Sequence, residues 1–163
     1  MANKARDTQG QYLLGLDSDE AIMAAAENIL RRRMDRGEAL SDPSKAGELF
    51  RMRLGNLERE HFAVAYLDTR HRLIGEIQDI FQGGLDGCEI HPREVAKEAL
   101  LRNAAAIIVA HNHPSTNPEP SAADRAVTTR LKQALALLDI RLLDHFVIAG
   151  NSSPVSMAAK GWV

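Results

Sequence analysis

The stretch that decides the fold is Ala104-Ala105-Ala106-Ile107-Ile108-Val109-Ala110, followed at once by His111-Asn112-His113-Pro114. A short, continuous apolar run of this kind reads as a buried strand. The two histidines stand two residues apart, so on extended chain their imidazoles point the same way and can face one point at the strand's end. Pro114 stops the strand and opens a loop that holds three prolines before Ser121. Ser121 then caps a long helix whose core face carries Val127, Leu131, Ala134, Leu135 and Leu138. Asp124 falls in the first turn of that helix, where its carboxylate can return to the two imidazoles.

Working outward, residues 62–67 form a second apolar run, read as a buried strand. Asp68 to His71 make a turn, and residues 73–81 are expected to pair back as a hairpin. A loop covers residues 83–87. Pro92 opens a helix to about Arg102 with His91 as its cap, and residues 140–149 form a last long strand. Upstream, Asp17-Ser18-Asp19-Glu20 starts a helix with Ile22, Ala25, Ala26, Ile29 and Leu30 on one face. It ends at Arg31-Arg32-Arg33, read as a solvated helix end suited to the dipole or, alternatively, as a nucleic-acid contact. A linker covers residues 37–44, and Asp42-Pro43 starts a second helix with Leu49, Phe50, Leu54 and Leu57 as its stripe. The expected organisation is a flexible tail over 1–16, a helical lead-in over 17–59 and an α/β domain over 60–163, with a mixed sheet flanked by helices.

Composition narrows the function. The 163 residues suit one compact domain, and 45% are apolar, enough for a sizeable core. A net charge of −2 argues against binding nucleic acid through an overall basic field and leaves a local basic patch as the alternative. Cys88 is the single cysteine, so there is no internal disulfide and no thiolate metal site. No apolar run approaches the roughly 18 residues of a membrane span, and the N-terminus has no signal-peptide core, so the expectation is a cytoplasmic protein.

The chemistry sits in His111, His113 and Asp124. Two imidazole nitrogens and one carboxylate oxygen make a three-ligand set that leaves a fourth tetrahedral position for water, as catalytic zinc requires. Ser121-x-x-Asp124 alone also fits a simple capping arrangement. The letters His111-Asn112-His113 are not an HNH nuclease, whose three residues are well separated along the chain. A zinc deaminase needs a cysteine pair that one cysteine cannot supply. Asp144-His145 in the last strand reads as a structural polar pair, with support of a metal ligand as the alternative. His61 and His71 read as surface residues and Cys88 as inert.

Several stretches carry a resemblance: Glu60-His61-Phe62, Tyr66-Leu67-Asp68, His91-Pro92-Arg93-Glu94-Val95, Asn103-Ala104-Ala105-Ala106, His111-Asn112-His113-Pro114, Pro120-Ser121, Asp124 and Leu143-Asp144-His145. With these, residues 60–150 resemble the RadC family, whose domain belongs to the JAMM (MPN-like) zinc metallopeptidases. The resemblance implies a cytidine-deaminase-like α/β fold, Zn2+ at the strand end, and hydrolysis of a peptide or isopeptide bond in an unknown protein or peptide substrate. It assigns Glu60 as the base acting on the metal's water, with Glu58 a nearby competitor, and Ser121 as a donor to the developing oxyanion. The chain departs from the family pattern at Thr116, where glycine is usual, and residues 1–59 do not look like the helix-hairpin-helix region of full-length members. A non-catalytic MPN-type scaffold and a DNA-associated protein are the rival readings.

Overall fold

The computed structural model describes residues 19–35, 39–82 and 90–163. The expectations for the tail over 1–16, the cap at Asp17 and Ser18, the first part of the 37–44 linker, the 83–87 loop and Cys88 lie outside these residues. So do those for the side chains of Arg31 to Arg33. In chain order the elements are α1 (Asp19–Asp35), α2 (Pro43–Leu54), β1 (His61–Leu67), β2 (Gln78–Gln82), α3 (Pro92–Leu101), β3 (Ala106–Asn112), α4 (Ala122–Ala136), β4 (Arg141–Ile148) and the two-residue β5 (Val155–Ser156). No described helix is long and apolar enough to cross a membrane.

The strands form one mixed sheet in the order β2-β1-β3-β4-β5. β3 and β4 run parallel, joined through α4, and the other neighbours are antiparallel. Both faces are covered. On one, Leu49, Phe50 and Leu54 of α2 pack on Ala63, Ala65, Ala106 and Ala110, whose small side chains let the helix approach the sheet. On the other, Val95 and Ala99 of α3 and Leu131 and Leu135 of α4 pack on Val64, Tyr66, Ile107 and Val109. Strands buried on both sides cannot alternate polar with apolar, which is why the central runs are continuously hydrophobic.

β3 and α4 do the positioning. In an open α/β sheet the crevice for a ligand lies beyond the carboxyl end of a strand that enters a crossover helix. β3 ends on His111 and Asn112, and after the loop α4 begins at Ala122. The parity of β3 sends Ile107, Val109 and His111 toward α3 and α4, and Ile108, Ala110 and Asn112 toward α2.

β4 carries an irregularity with large effects. Ile107 pairs with Leu142 while Ile108 pairs with Asp144, so Leu143 is an extra residue on β4. Leu142 packs in the α3/α4 core and Leu143 against the α2 core. Beyond the bulge the alternation is inverted: Phe146 and Ile148 face α2, and His145 faces α4.

Some expectations are corrected. The expected strand over 73–81 is shorter, because Gly75 takes φ 73° and breaks the extended run. Leu73 makes only an isolated bridge to Leu67 before β2 begins. Of the expected face of α1, Leu30 packs against the core, while Ile22 and Ile29 remain 49% and 43% exposed. Leu138 lies beyond the end of α4 in a turn closed by Asp139 at φ 56°, and is 38% exposed. His91 holds the cap position of α3 but makes no side-chain cap bond; its ring instead meets Phe81 edge-on at 5.9 Å. His61 is half-buried rather than a surface residue, with Nδ1 enclosed and without a hydrogen-bond partner among the described residues.

Candidate metal centre

His111, His113 and Asp124 converge beyond the end of β3, each offering one ligand atom, with all three atoms within 4.8 Å of one another. The Nε2 atoms of His111 and His113 are 2.9 Å apart. Asp124 sets Oδ1 3.2 Å from Nε2 of His111 and Oδ2 3.4 Å from Nε2 of His113. His111 is buried near the end of β3, whereas His113 lies just past it and is partly exposed, so the site opens to solvent on the loop side. His113 is pinned by its own backbone N–H, which donates to the Ile148 carbonyl at 2.8 Å.

Each outer ring nitrogen is engaged. Nδ1 of His113 lies 2.8 Å from the Asn117 carbonyl, which can only accept, so Nδ1 is protonated and Nε2 keeps its lone pair. Nδ1 of His111 lies 2.8 Å from Nε2 of His145. Two imidazole nitrogens and a carboxylate aimed at one point repel each other unless a cation lies between them. This donor set fits zinc, which takes histidine nitrogen and aspartate oxygen. Burial works against charge on Asp124, but the His111 and His113 imidazoles set against it and the hydrogen bond from the Ser121 N–H outweigh this and hold the carboxyl well below the ordinary range. The Asp124 carboxylate against its ring raises His113, against the effect of burial; the Asn117 carbonyl and the charge of Glu60 add to the rise.

The start of α4 does two jobs at once. Ser121 Oγ accepts from the Asp124 N–H at 3.1 Å, and Asp124 Oδ2 accepts from the Ser121 N–H at 2.6 Å, a complete capping box. Capping and metal binding are therefore not alternatives for Asp124, because a carboxylate has lone pairs enough for both. For Ser121 the cap consumes an acceptor lone pair and leaves the exposed hydroxyl its proton.

Glu60 precedes β1, beside β3, and its charge is felt at His113. Its stretch of chain is held by Asn112, which points away from the histidines. Asn112 Oδ1 accepts from the His61 N–H at 2.8 Å, and Nδ2 donates to the carbonyls of Leu57 at 3.2 Å and Arg59 at 2.9 Å. Sequence reasoning passed over this residue; its place between two same-facing histidines, hence on the opposite face, was the available signal.

Asp144 and His145 do not act as a pair. Strand alternation sends them to opposite faces of the sheet, and the bulge before them decides that His145 takes the α4 face. Asp144 accepts from the N–H groups of His145 and Ala158 and from the Ser156 hydroxyl, tying down the chain around β5. His145 is fully buried, edge-on to Phe62 at 5.6 Å, and bonded to His111 on one side and to Thr128 Oγ1 at 2.6 Å on the other. Burial holds its ring neutral. Thr128 was not anticipated, although it stands four residues after Asp124 and three before Leu131 on the buried stripe of α4. A groove lined by Pro43, Gly47, Ile108 and Phe146 lies on the α2 face and contains none of these ligating groups.

Residues 40–162 match the family model described as the RadC-like JAB domain. A UPF0758 protein of Xanthomonas campestris pv. campestris (strain 8004) is 58% identical over 143 residues, covering 88% of this chain and 63% of that relative. UPF0758 protein XAC3915 of Xanthomonas axonopodis pv. citri is 57% identical over the same length. A UPF0758 protein of Xylella fastidiosa (strain 9a5c) is 50% identical over 153 residues, with 92% of this chain and 67% of the relative covered. The chain thus spans a little under two thirds of the length of the first of these relatives.

Proposed function

Because the chain belongs to the RadC-like JAB domain family, we propose that it is a zinc-dependent hydrolase of peptide or isopeptide bonds acting on a protein or peptide substrate. The observation that carries the reading is the convergence of two imidazole lone pairs and one carboxylate on a single point that opens to solvent. Nε2 of His111, Nε2 of His113 and the Asp124 carboxylate would hold the ion. Zinc supplies Lewis acidity and brings the pKa of water toward about 7.

The chain's own groups do the rest. Glu60 takes the proton of the attacking water and returns it to the leaving amine. Its negative charge lies close enough to be felt at His113, as a base beside the site must. The Ser121 hydroxyl, capped through its lone pair only, donates its proton to the oxyanion that develops on the substrate carbonyl. The capping box holds Ser121 and Asp124 in one rigid first turn, so ligand and donor move together.

The test is metal content and turnover measured side by side. The chain should take up one equivalent of zinc and cleave a peptide or isopeptide library. His113→Ala should lose both properties, and Glu60→Gln should keep the metal and lose turnover. A chain that takes up no zinc, or a Glu60→Gln variant as active as its parent, would sink the reading.

A further inference from the structure

The polarity of the hydrogen bonds behind the site can be followed atom by atom. Thr128 Oγ1 lies 2.5 Å from the backbone carbonyl of Asp124 and 2.6 Å from Nδ1 of His145. A carbonyl only accepts, so the single hydroxyl proton of Thr128 goes to Asp124 O. The sulfur of Met157, at 3.6 Å, is a weak acceptor and does not compete. Oγ1 then has only lone pairs to offer His145, whose Nδ1 must carry the proton. His145 is fully enclosed and among the described residues its ring nitrogens meet only Thr128 and His111, with no carboxylate to hold a second proton, so its Nε2 has none and accepts from Nδ1 of His111, 2.8 Å away. His111 is left with a bare Nε2, the atom that points at His113 and Asp124.

We infer that Thr128 and His145 are positioning residues, a two-member relay that runs from the first turn of α4 to His111 and fixes it in the one neutral tautomer able to bind a metal through Nε2. The inference rests on the metal reading above for its purpose, but not for its geometry. It assigns a reason for burying a histidine and a threonine side by side in an otherwise apolar core: each is satisfied only in the direction that prepares the ligand. It also couples two of the three ligands, because the carbonyl that sets the polarity belongs to Asp124 itself. Partners of a metal-bound imidazole typically change metal affinity 10- to 100-fold when removed.

The experiment uses the full, metal-free chain with 15N-labelled histidine rings, at a pH above the ordinary histidine range. Long-range proton–nitrogen spectra should report Nδ1–H tautomers for both His111 and His145. Zinc affinity by chelator competition should fall about 10- to 100-fold in Thr128→Val and His145→Phe. It should be largely restored in Thr128→Ser and His145→Gln, which keep a hydroxyl and an acceptor. Thr128→Val nearly preserves shape, and a thermal melt on the same sample separates affinity from folding. A merely structural pair would lower the melting temperature without moving the tautomer of His111. An Nε2–H tautomer on His111, or undiminished zinc affinity in folded Thr128→Val and His145→Phe, overturns the relay. Failure of the wild-type chain to take up zinc would overturn the metal reading alone, since the tautomer is read without metal.

Discussion

Replacing Asn112 by alanine removes three hydrogen bonds in one step, and the structure sets the size of the loss. The side chain is 2% exposed and serves the His61 N–H and the carbonyls of Leu57 and Arg59. A hydrogen bond of this kind contributes about 0.5–1.5 kcal/mol net, with more lost when a partner is left buried and unpaired. The chain around residues 57–59 is partly exposed, so the two carbonyls can recover water, while the His61 N–H at the head of β1 recovers less. The expected cost is therefore about 2–3 kcal/mol, or a fall of roughly 4–10 °C in Tm for a domain of this size. Urea unfolding with an unchanged m-value measures it. Asn112→Asp keeps the acceptor for His61 but turns a carboxylate toward two carbonyls, and should cost at least as much. The same variants should bind zinc like the parent and hydrolyse more slowly, because the strap holds Glu60 and not the ligands. A loss below about 1 kcal/mol with m intact would refute the strap and the positioning argument with it.

Further outcomes follow from other residues. Thr116 is β-branched yet sits at φ 60°, a region that costs a non-glycine residue about 1–3 kcal/mol. Glycine adds back about 0.5–1 kcal/mol of chain entropy. Thr116→Gly should therefore stabilise by about 1 kcal/mol, and a chemical-denaturation curve that moves the other way counts against the strain. The Tyr66 hydroxyl is buried without a partner among the described residues, and burial pushes the phenol well above its usual range. Tyr66→Phe should be neutral or stabilising by up to about 2 kcal/mol, since it deletes an unmet polar group, and it leaves Arg102 over the ring at 5.1 Å. Asp68 is held down to about 2 by the Arg72 N–H and side chain and by the Arg70 N–H. Its folded value lies below its unfolded one, so its contribution to stability is complete above about pH 4 and is lost as pH falls through about 2. Carboxyl carbon shifts followed through an acid titration should show that midpoint, and an ordinary aspartate value would overturn the assignment.

The order of strands and helices, the strand-end position of His111 and His113 and the cap at Ser121 were all legible, because each rests on local rules: apolar runs, two-residue parity, proline and capping residues. What escaped depended on non-local pairing. Nothing in Leu142-Leu143-Asp144-His145 announces that Leu143 is surplus to the pairing with β3, and without that knowledge alternation places His145 on the α2 face, away from His111 and the candidate metal centre. Thr128 was hidden differently: a polar residue breaks an apolar stripe, so the pattern that found Leu131 and Leu135 passed it by. Asn112 was read as a letter in a coincidental triplet, when its partners lie more than fifty residues away in the chain. Glu60 and the oxyanion role of Ser121 rested on resemblance, and no local rule yields them. The oddity noted at Thr116 as a departure from family glycine acquires its meaning only from the backbone angle.

The extra residue at Leu143 makes β4 a strand whose two ends obey different parities. The first end is written for the core and the second for the site, and one inserted position is the hinge of grammar between them. Deleting Leu143 would leave every later residue in sequence but exchange the faces they serve, bringing Phe146 under α4 and delivering His145 to α2. No point substitution could undo that exchange, whereas a second single-residue insertion nearby could. A transplant of this site onto a regular sheet must therefore carry the miscount along with the histidines.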